Sequence, residues 1–285
     1  MTAPPSKKPR VVRGSERVRE SARVAGWAVG LSGLVSLVGA LLAQHRAGSL
    51  AVQTFAAEWG AGQLGVAWSD PEAPVPSNAL LARRVARGAG LGLLAAGTSL
   101  VFASLTGAAT FGRPRATPYE LLAGLAIATF LAMRDELILR GLTLRIFRHT
   151  LPPLARLLVC GAVAAAAHVA QLPDASLASF VTTAAGGCSL AIAAMSGVCF
   201  GALWLHERGA WTACGAHVAW GLTTPSAISG GLWDARSATS VWGGAGGAVQ
   251  GVDASGAITV ALVLITGAVL FATRSTWYRA DARTR

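Results

Sequence analysis

The sequence predicts an all-α protein, a polytopic membrane helical bundle of about eight transmembrane helices. Three observations predict it. Charge is scarce: only 13% of the 285 residues are charged and 53% are hydrophobic, whereas a soluble domain carries about a quarter charged residues. The charges are also segregated, so that residues 24–44, 88–112, 157–173, 175–206, 209–233 and 254–273 contain no Asp, Glu, Lys or Arg. A helix needs about 20 apolar residues, within a range of about 17–25, to cross the hydrocarbon core. Five of these stretches fit one span each, and 175–206 is long enough for a span and a short or re-entrant piece. Finally, the basic residues sit in tails and at span ends, as Lys7, Lys8, Arg10, Arg13, Arg17, Arg19 and Arg23 do before the first span and Arg274, Arg279, Arg283 and Arg285 after the last. Cytoplasmic Lys and Arg orient a membrane protein in this way.

The elements follow in order. Residues 1–22, with Pro4, Pro5 and Pro9, are expected to be a disordered basic cytoplasmic tail. The tail is not a cleavable signal, because its charged region is long and the apolar stretch behind it exceeds a signal-peptide core. Residues 23–117 hold the N-terminal transmembrane helices. The first span covers about 24–44, and the segment 47–69 is apolar but interrupted by Glu58. Residues 70–78 form a loop on the strength of their prolines, and Arg83, Arg84 and Arg87 precede a span at 88–111. If the N-terminal tail and this Arg cluster both face the cytoplasm, 47–69 must cross the membrane. That gives eight helices rather than seven, with both termini cytoplasmic. Residues 118–226 contain a helix running from Pro118 beyond Arg140 and spans near 157–172, 188–206 and 210–226. A Gly-rich loop at 227–254 leads to the last helix and basic tail, 255–285. The Ala-, Gly- and Arg-rich composition points to a bacterial inner (cytoplasmic) membrane.

Composition also excludes some functions. A net charge of +11 raises nucleic-acid binding for a soluble chain, but here the charges flank spans and no aromatic-basic soluble module is present, so no nucleic-acid partner is expected. Cys160, Cys188, Cys199 and Cys214 lie in apolar segments without Cys-x-x-Cys spacing, which reads as packing rather than a metal or redox pair. A small-molecule transporter is a less favoured alternative, since it would carry repeated halves with broken helices in corresponding positions and no such repeat is visible.

Ionisable groups inside the membrane are costly and carry a functional hypothesis by default. Four places qualify. In Arg134-Asp135-Glu136-Leu137-Ile138-Leu139-Arg140, Glu136 and Arg140 lie one helical turn apart and can pair. Asp135 projects about 100° away and is left to face something else. The plainer reading is a charge cluster at a span end. His168 follows a run of alanines that lets helices approach closely, and His217 stands midway along another apolar segment. Either could be a hydrogen-bonded packing residue. His206, with Glu207 and Arg208, sits at a span boundary and reads as an interfacial turn ending at Gly209.

In order and spacing, Asp-Glu-x-x-x-Arg, then a His about 30 residues on, then a His about 50 later, resembles the CAAX protease and bacteriocin-processing family of membrane peptidases. Leu139-Arg140-Gly141-Leu142, Phe200-Gly-Ala-Leu-Trp and Gly215-Ala-His217-Val-Ala-Trp220 extend the resemblance over about residues 118–226. The resemblance implies an intramembrane endopeptidase in which Asp135 is the base that activates water, His168 its partner and His217 the oxyanion donor. Glu136 and Arg140 would hold the helix, and Gly221 would stand at the supporting position one turn beyond His217. The implied substrate is a membrane-associated or lipid-modified peptide within the lipid bilayer. Two histidines and carboxylates would suit zinc, but no His-Glu-x-x-His pair is present and the resemblance points to a carboxylate-type peptidase, so neither cofactor nor metal is expected. Three positions depart from the family pattern: Asp135 replaces a Glu, Ala164 a Phe, and Gly221 an Asn or Asp. These departures keep open a non-catalytic relative, an immunity protein or peptide-binding chaperone.

Overall fold

The structure is a computed structural model that describes residues 14–41, 46–69, 75–107, 109–111, 117–170, 184–223, 235–237 and 256–282. Its helices are α1 (Gly14–Leu41), α2 (Arg46–Gln63), α3 (Asn78–Leu105), α4 (Pro118–Asp135), a π-helical segment (Glu136–Leu142) that runs on into α5 (Thr143–Ile146), α6 (Pro153–Ala170), α7 (Ala184–Glu207), α8 (Trp211–Thr223) and α9 (Gly256–Ala282). With α4, the π segment and α5 taken as one rod, the described residues form eight long helical units, as the sequence predicts.

Local chemistry sets the helix starts. Ser77 caps α3, accepting the Leu80 amide at 3.3 Å. Thr117 and Glu120 cap α4 reciprocally, with Pro118 in its first turn. Both arrangements satisfy amides that a helix start leaves unpaired.

Contacts between helix ends set the topology. Arg145 of α5 pairs with Glu20 of α1 at 2.8 Å. Arg84 and Arg87 of α3 pair with Glu207 at the end of α7. The stretch after α2 is tied to the α7–α8 turn by the Ala210 amide donating to the Trp68 carbonyl (2.9 Å) and the Trp211 indole donating to Ser69 Oγ (3.0 Å). His206 near the end of α7 meets Thr276 of α9 at 3.0 Å. One face of the bundle therefore gathers the start of α1, the end of α2, the start of α3, the end of α5, the turn between α7 and α8, and the later part of α9. The eight units alternate in direction. The expectation that 47–69 runs back fits this arrangement, and the helix carrying His206 and Glu207 ends in a turn at Arg208, which is left-handed at φ 53°.

Four helical stretches, Asn78–Leu105, Pro153–Ala170, Gly186–Glu207 and Gly256–Trp277, are long and apolar enough to cross a membrane by length and composition alone. Leu94, Val101, Leu264 and Phe271 stand exposed on such helices, as lipid-facing side chains do. Helices α2 and α4 carry polar residues, such as Gln53 and Arg134, turned toward each other inside the bundle. At 13 residues, α8 is about 20 Å long, shorter than the hydrocarbon core.

Small residues bring the helices together. A Cβ on Gly88 or Gly92 of α3 would collide with the main-chain oxygen of Thr212 or Ala216 of α8, and one on Gly215 with that of Val85. The α6–α7 pair is built in the same way: a Cβ on Gly197 would stand 2.7 Å from the Cys160 oxygen and one on Gly161 2.9 Å from that of Ala194. In lipid, where apolar burial offers little drive between helices, backbone proximity of this kind supplies the packing energy. A larger core joins α1, α2, α6, α7 and the π segment through Leu31, Ala57, Ala61, Leu137, Leu142, Leu157 and Trp204.

Two expectations differ. Helix α1 begins at Gly14, so residues 14–22 continue the first helix rather than forming a disordered tail; their charged side chains punctuate a helix face without breaking it. Residues 1–13 lie outside the described set. Within the Gly-rich stretch 227–254, Ala235–Ser237 forms a strand paired antiparallel with Ala109–Phe111, because backbone groups at a bundle end need partners. The rest of that stretch lies outside the described residues.

Gly92→Leu is expected to destabilise the bundle by about 3 kcal/mol, since the obstacle is main chain and cannot yield. Gly90→Leu, with nothing within 4 Å of the added carbon, is expected to leave the thermal transition in detergent unchanged.

Candidate active site

The rod that begins at Pro118 carries Arg134, Asp135, Glu136 and Arg140 within seven residues. As α4 ends at Asp135, the chain widens into the π segment Glu136–Leu142. Such segments are rare and frequent at functional sites. The widened turn buries Glu136, Leu137 and Arg140 through Leu142 on the inner side. Gly141 is required there, since a Cβ would meet Val66 at 2.6 Å and the Trp204 ring at 2.9 Å.

Glu136 is fully buried. Its Oε1 lies 3.1 Å from Nδ1 of His217 on α8 and 3.5 Å from Nη1 of Arg140. Oε2 of Glu136, with Nε and Nη1 of Arg140, has no hydrogen-bond partner among the described residues. Phe200 of α7 completes the group: the His217 ring stacks on it at 4.9 Å between centroids, and the Arg140 guanidinium stands 5.4 Å from its centre. Two helical units thus meet on one carboxylate, and a third, α7, backs its two partners. A buried charge of this kind is tolerable only when paired.

Asp135 points elsewhere, as its position on the helix implies, but it is not unengaged. Its Oδ1 accepts from Nε of Arg134 and lies 2.8 Å from Nη2 of the same guanidinium. Arg134 reaches on through Nη1 to Oε1 of Gln53 on α2 (2.8 Å), and Gln53 donates to Ser49 (2.9 Å). Thr54 of α2 adds a bond to the Phe130 carbonyl at 2.9 Å. The geometric expectation that Glu136 is occupied and Asp135 open is therefore corrected in part. Asp135 makes the shorter ion pair, because the adjacent Arg134 wraps back onto it. It nevertheless keeps 19% of its side chain exposed, against 0% for Glu136.

His168 stands near the end of α6, half-buried, with Nε2 2.7 Å from Ser189 Oγ on α7. Gly221 lies one turn beyond His217 and faces Ala128 of α4, which an added Cβ would meet at 4.0 Å, an ordinary contact. Ala164, where the family pattern has Phe, is buried, and a Cβ on Gly197 would stand 2.8 Å from its own Cβ, so close packing of α6 on α7 fills that place. The structure thus brings Glu136, Arg140 and His217 together, turns Asp135 to Arg134, and joins His168 to Ser189. Gln53, Arg134, Phe200 and Ser189 were not picked out as site residues from the sequence. Gln53 and Ser49, polar and four apart in an apolar helix, carried a signal, and Phe200 stood in a stretch that resembles the family; Ser189 carried none. Among the described residues no group of three or more His, Cys, Asp or Glu is disposed to hold a metal ion.

A family model described as Type II CAAX prenyl endopeptidase Rce1-like matches residues 116–223. This segment is similar to that family of membrane peptidases. The match spans less than half of the chain and contains Asp135, Glu136, Arg140, His168, His217 and Gly221, but not α2 with its Gln53. No curated protein and no solved structure matched the chain.

Replacing Glu136 by Ala is expected to cost about 3–5 kcal/mol, because Arg140 would remain buried without its counter-charge. Asp135→Asn, at a partly exposed position, is expected to cost clearly less. Thermal unfolding of both variants in the same detergent makes the comparison.

Proposed function

We propose that the chain is an intramembrane endopeptidase of the CAAX-protease-like type. In this reading it hydrolyses a peptide bond near the C-terminus or membrane segment of a membrane-associated or lipid-modified substrate, without a metal or other cofactor. The observation that carries the reading is the pairing of His217 with a fully buried Glu136, beside a second carboxylate that retains exposure. A ring whose Nδ1 donates to Glu136 is fixed in orientation and turns Nε2 outward, as a buried carboxylate does for a catalytic imidazole elsewhere. When that ring is protonated, Nε2–H is its remaining donor and can meet the oxyanion of a tetrahedral intermediate, with Glu136 carrying the balancing charge.

Asp135 takes the role of base in this scheme. Both contacts from Arg134 fall on Oδ1, leaving Oδ2 for a water molecule. His168 is its partner and passes the proton to the leaving amine. Glu136 and Arg140 act through His217 as positioning residues. Gly221 supplies no donor, so one source of oxyanion stabilisation is absent. That absence favours the second reading, a non-catalytic relative that binds a hydrophobic peptide as an immunity protein or chaperone. The enzyme would work in the inner (cytoplasmic) membrane with both termini on the cytoplasmic side, where the basic ends of α1 and α9 would be attracted.

Cleavage of a quenched fluorescent peptide library by purified protein in detergent tests the proposal. Asp135→Ala and His168→Ala are expected to abolish cleavage, and His217→Ala to lower kcat by about 100- to 1000-fold, the usual effect of losing an oxyanion donor. Survival of cleavage in Asp135→Ala with loss in Glu136→Gln would move the base to Glu136. No cleavage by the folded wild type would leave the non-catalytic reading. Gly221→Asn, for which Ala128 leaves room, is expected to raise kcat about tenfold.

A further inference from the structure

A cleft of about 860 Å³ lies between α1 and α2, lined by Glu20, Arg23, Trp27, Leu31, Gly60 and Arg145 among others. Its volume falls within the range of about 300–1,000 Å³ usual for ligand sites. It is distinct from the candidate active site, none of whose residues lines it. Polarity changes along its length. Glu20, Arg23, Gln63 and Arg145 stand at one end; Gly30, Leu31 and Leu34 of α1 and Trp59 and Gly60 of α2 continue the walls toward the bundle middle. From residue 20 to residue 34 the wall of α1 runs about 21 Å at 1.5 Å per residue, enough to cover the depth of one leaflet, about 15 Å, and reach its headgroups.

Charge selects the occupant. Glu20 is already taken up by Arg145 at 2.8 Å, whereas Arg23 makes no ion pair among the described residues. The polar end therefore holds one net positive charge, at the bundle face where the start of α1 and the end of α5 meet. Trp27 and Trp59, about two-thirds exposed, flank the trough as amphipathic rings do at a bilayer interface. The floor is open at Gly30, where an added Cβ would meet nothing within 4 Å.

We propose that this cleft binds one anionic phospholipid, its phosphate at Arg23 and the outer edge of Arg145 and an acyl chain along Gly30, Leu31 and Leu34. A basic pocket between membrane helices recognises an anionic headgroup by charge, and the apolar trough sets the lipid's direction. Arg145 follows the π segment by three residues, so the bound lipid would brace the rod that carries Glu136 and Arg140.

Native mass spectrometry of the full chain, released from detergent containing phosphatidylglycerol or phosphatidylcholine, tests this. The expected result is one retained phosphatidylglycerol, with phosphatidylcholine held at least fivefold more weakly. Arg23→Gln is expected to weaken retention about fivefold, the effect of one basic residue near a membrane surface. Gly30→Leu should fill the trough and abolish retention while leaving the lipid-free thermal transition unchanged. Equal retention of the two lipids, undiminished retention by Gly30→Leu, or displacement of the lipid by inorganic phosphate would each overturn the proposal. A lipid-free dimer in place of the lipid-bound monomer would overturn it too, assigning the cleft to a second copy.

Discussion

The fold is organised around one carboxylate that has no access to solvent. Glu136 sits at the start of a π segment with 0% exposure, and a charge so placed requires counter-charge from whatever packs against it. Arg140 of the same segment supplies one partner and His217 of α8 another. Phe200 of α7 lies against both partners. The relative placement of three helical units is thus tied to satisfying one buried group, and the π turn lets Glu136, Arg140, Gly141 and Leu142 all face inward from a short stretch.

His217 reaches that carboxylate only because α8 is held closely against its neighbours. The glycines of α3 and α8 allow main chain to touch main chain, and the oxygens of Thr212, Ala216 and Val85 take the space a methyl group would need. Where lipid surrounds the bundle, contacts of this kind substitute for the apolar burial that drives packing in water. They position His217 far more firmly than the 13-residue length of α8 would by itself.

The polar network extends past the family-like segment. Ser49 and Gln53 on α2 hold Arg134, which in turn holds Asp135, so a helix with no part in the matched residues 116–223 restrains one of the two carboxylates. The same helix forms a wall of the cleft beside α1. Helix α2 therefore faces the candidate site on one side and the cleft beside α1 on the other.

What the sequence determined by itself was whatever rests on composition and spacing along the chain. Long uncharged stretches specify membrane helices because lipid penalises charge at every position of a span, and eight units could be counted, including 47–69 despite Glu58. The order of Asp135-Glu136-x-x-x-Arg140, His168 and His217 was legible as a family-like pattern because chemistry on separate helices leaves its residue types in place. The Glu136–Arg140 pair was legible from its one-turn spacing, but tertiary structure alone decided which groups meet across helices. Nothing local predicted the π turn, the close fit of Gly141 against Val66 and Trp204, or that Arg134 would fold back onto Asp135 while Gln53 held its far side. Nor could the chain reveal that His217 turns Nδ1 to Glu136 and its ring face to Phe200. Such pairings are selected by helices far apart in sequence, through the requirement that each buried charge find a partner.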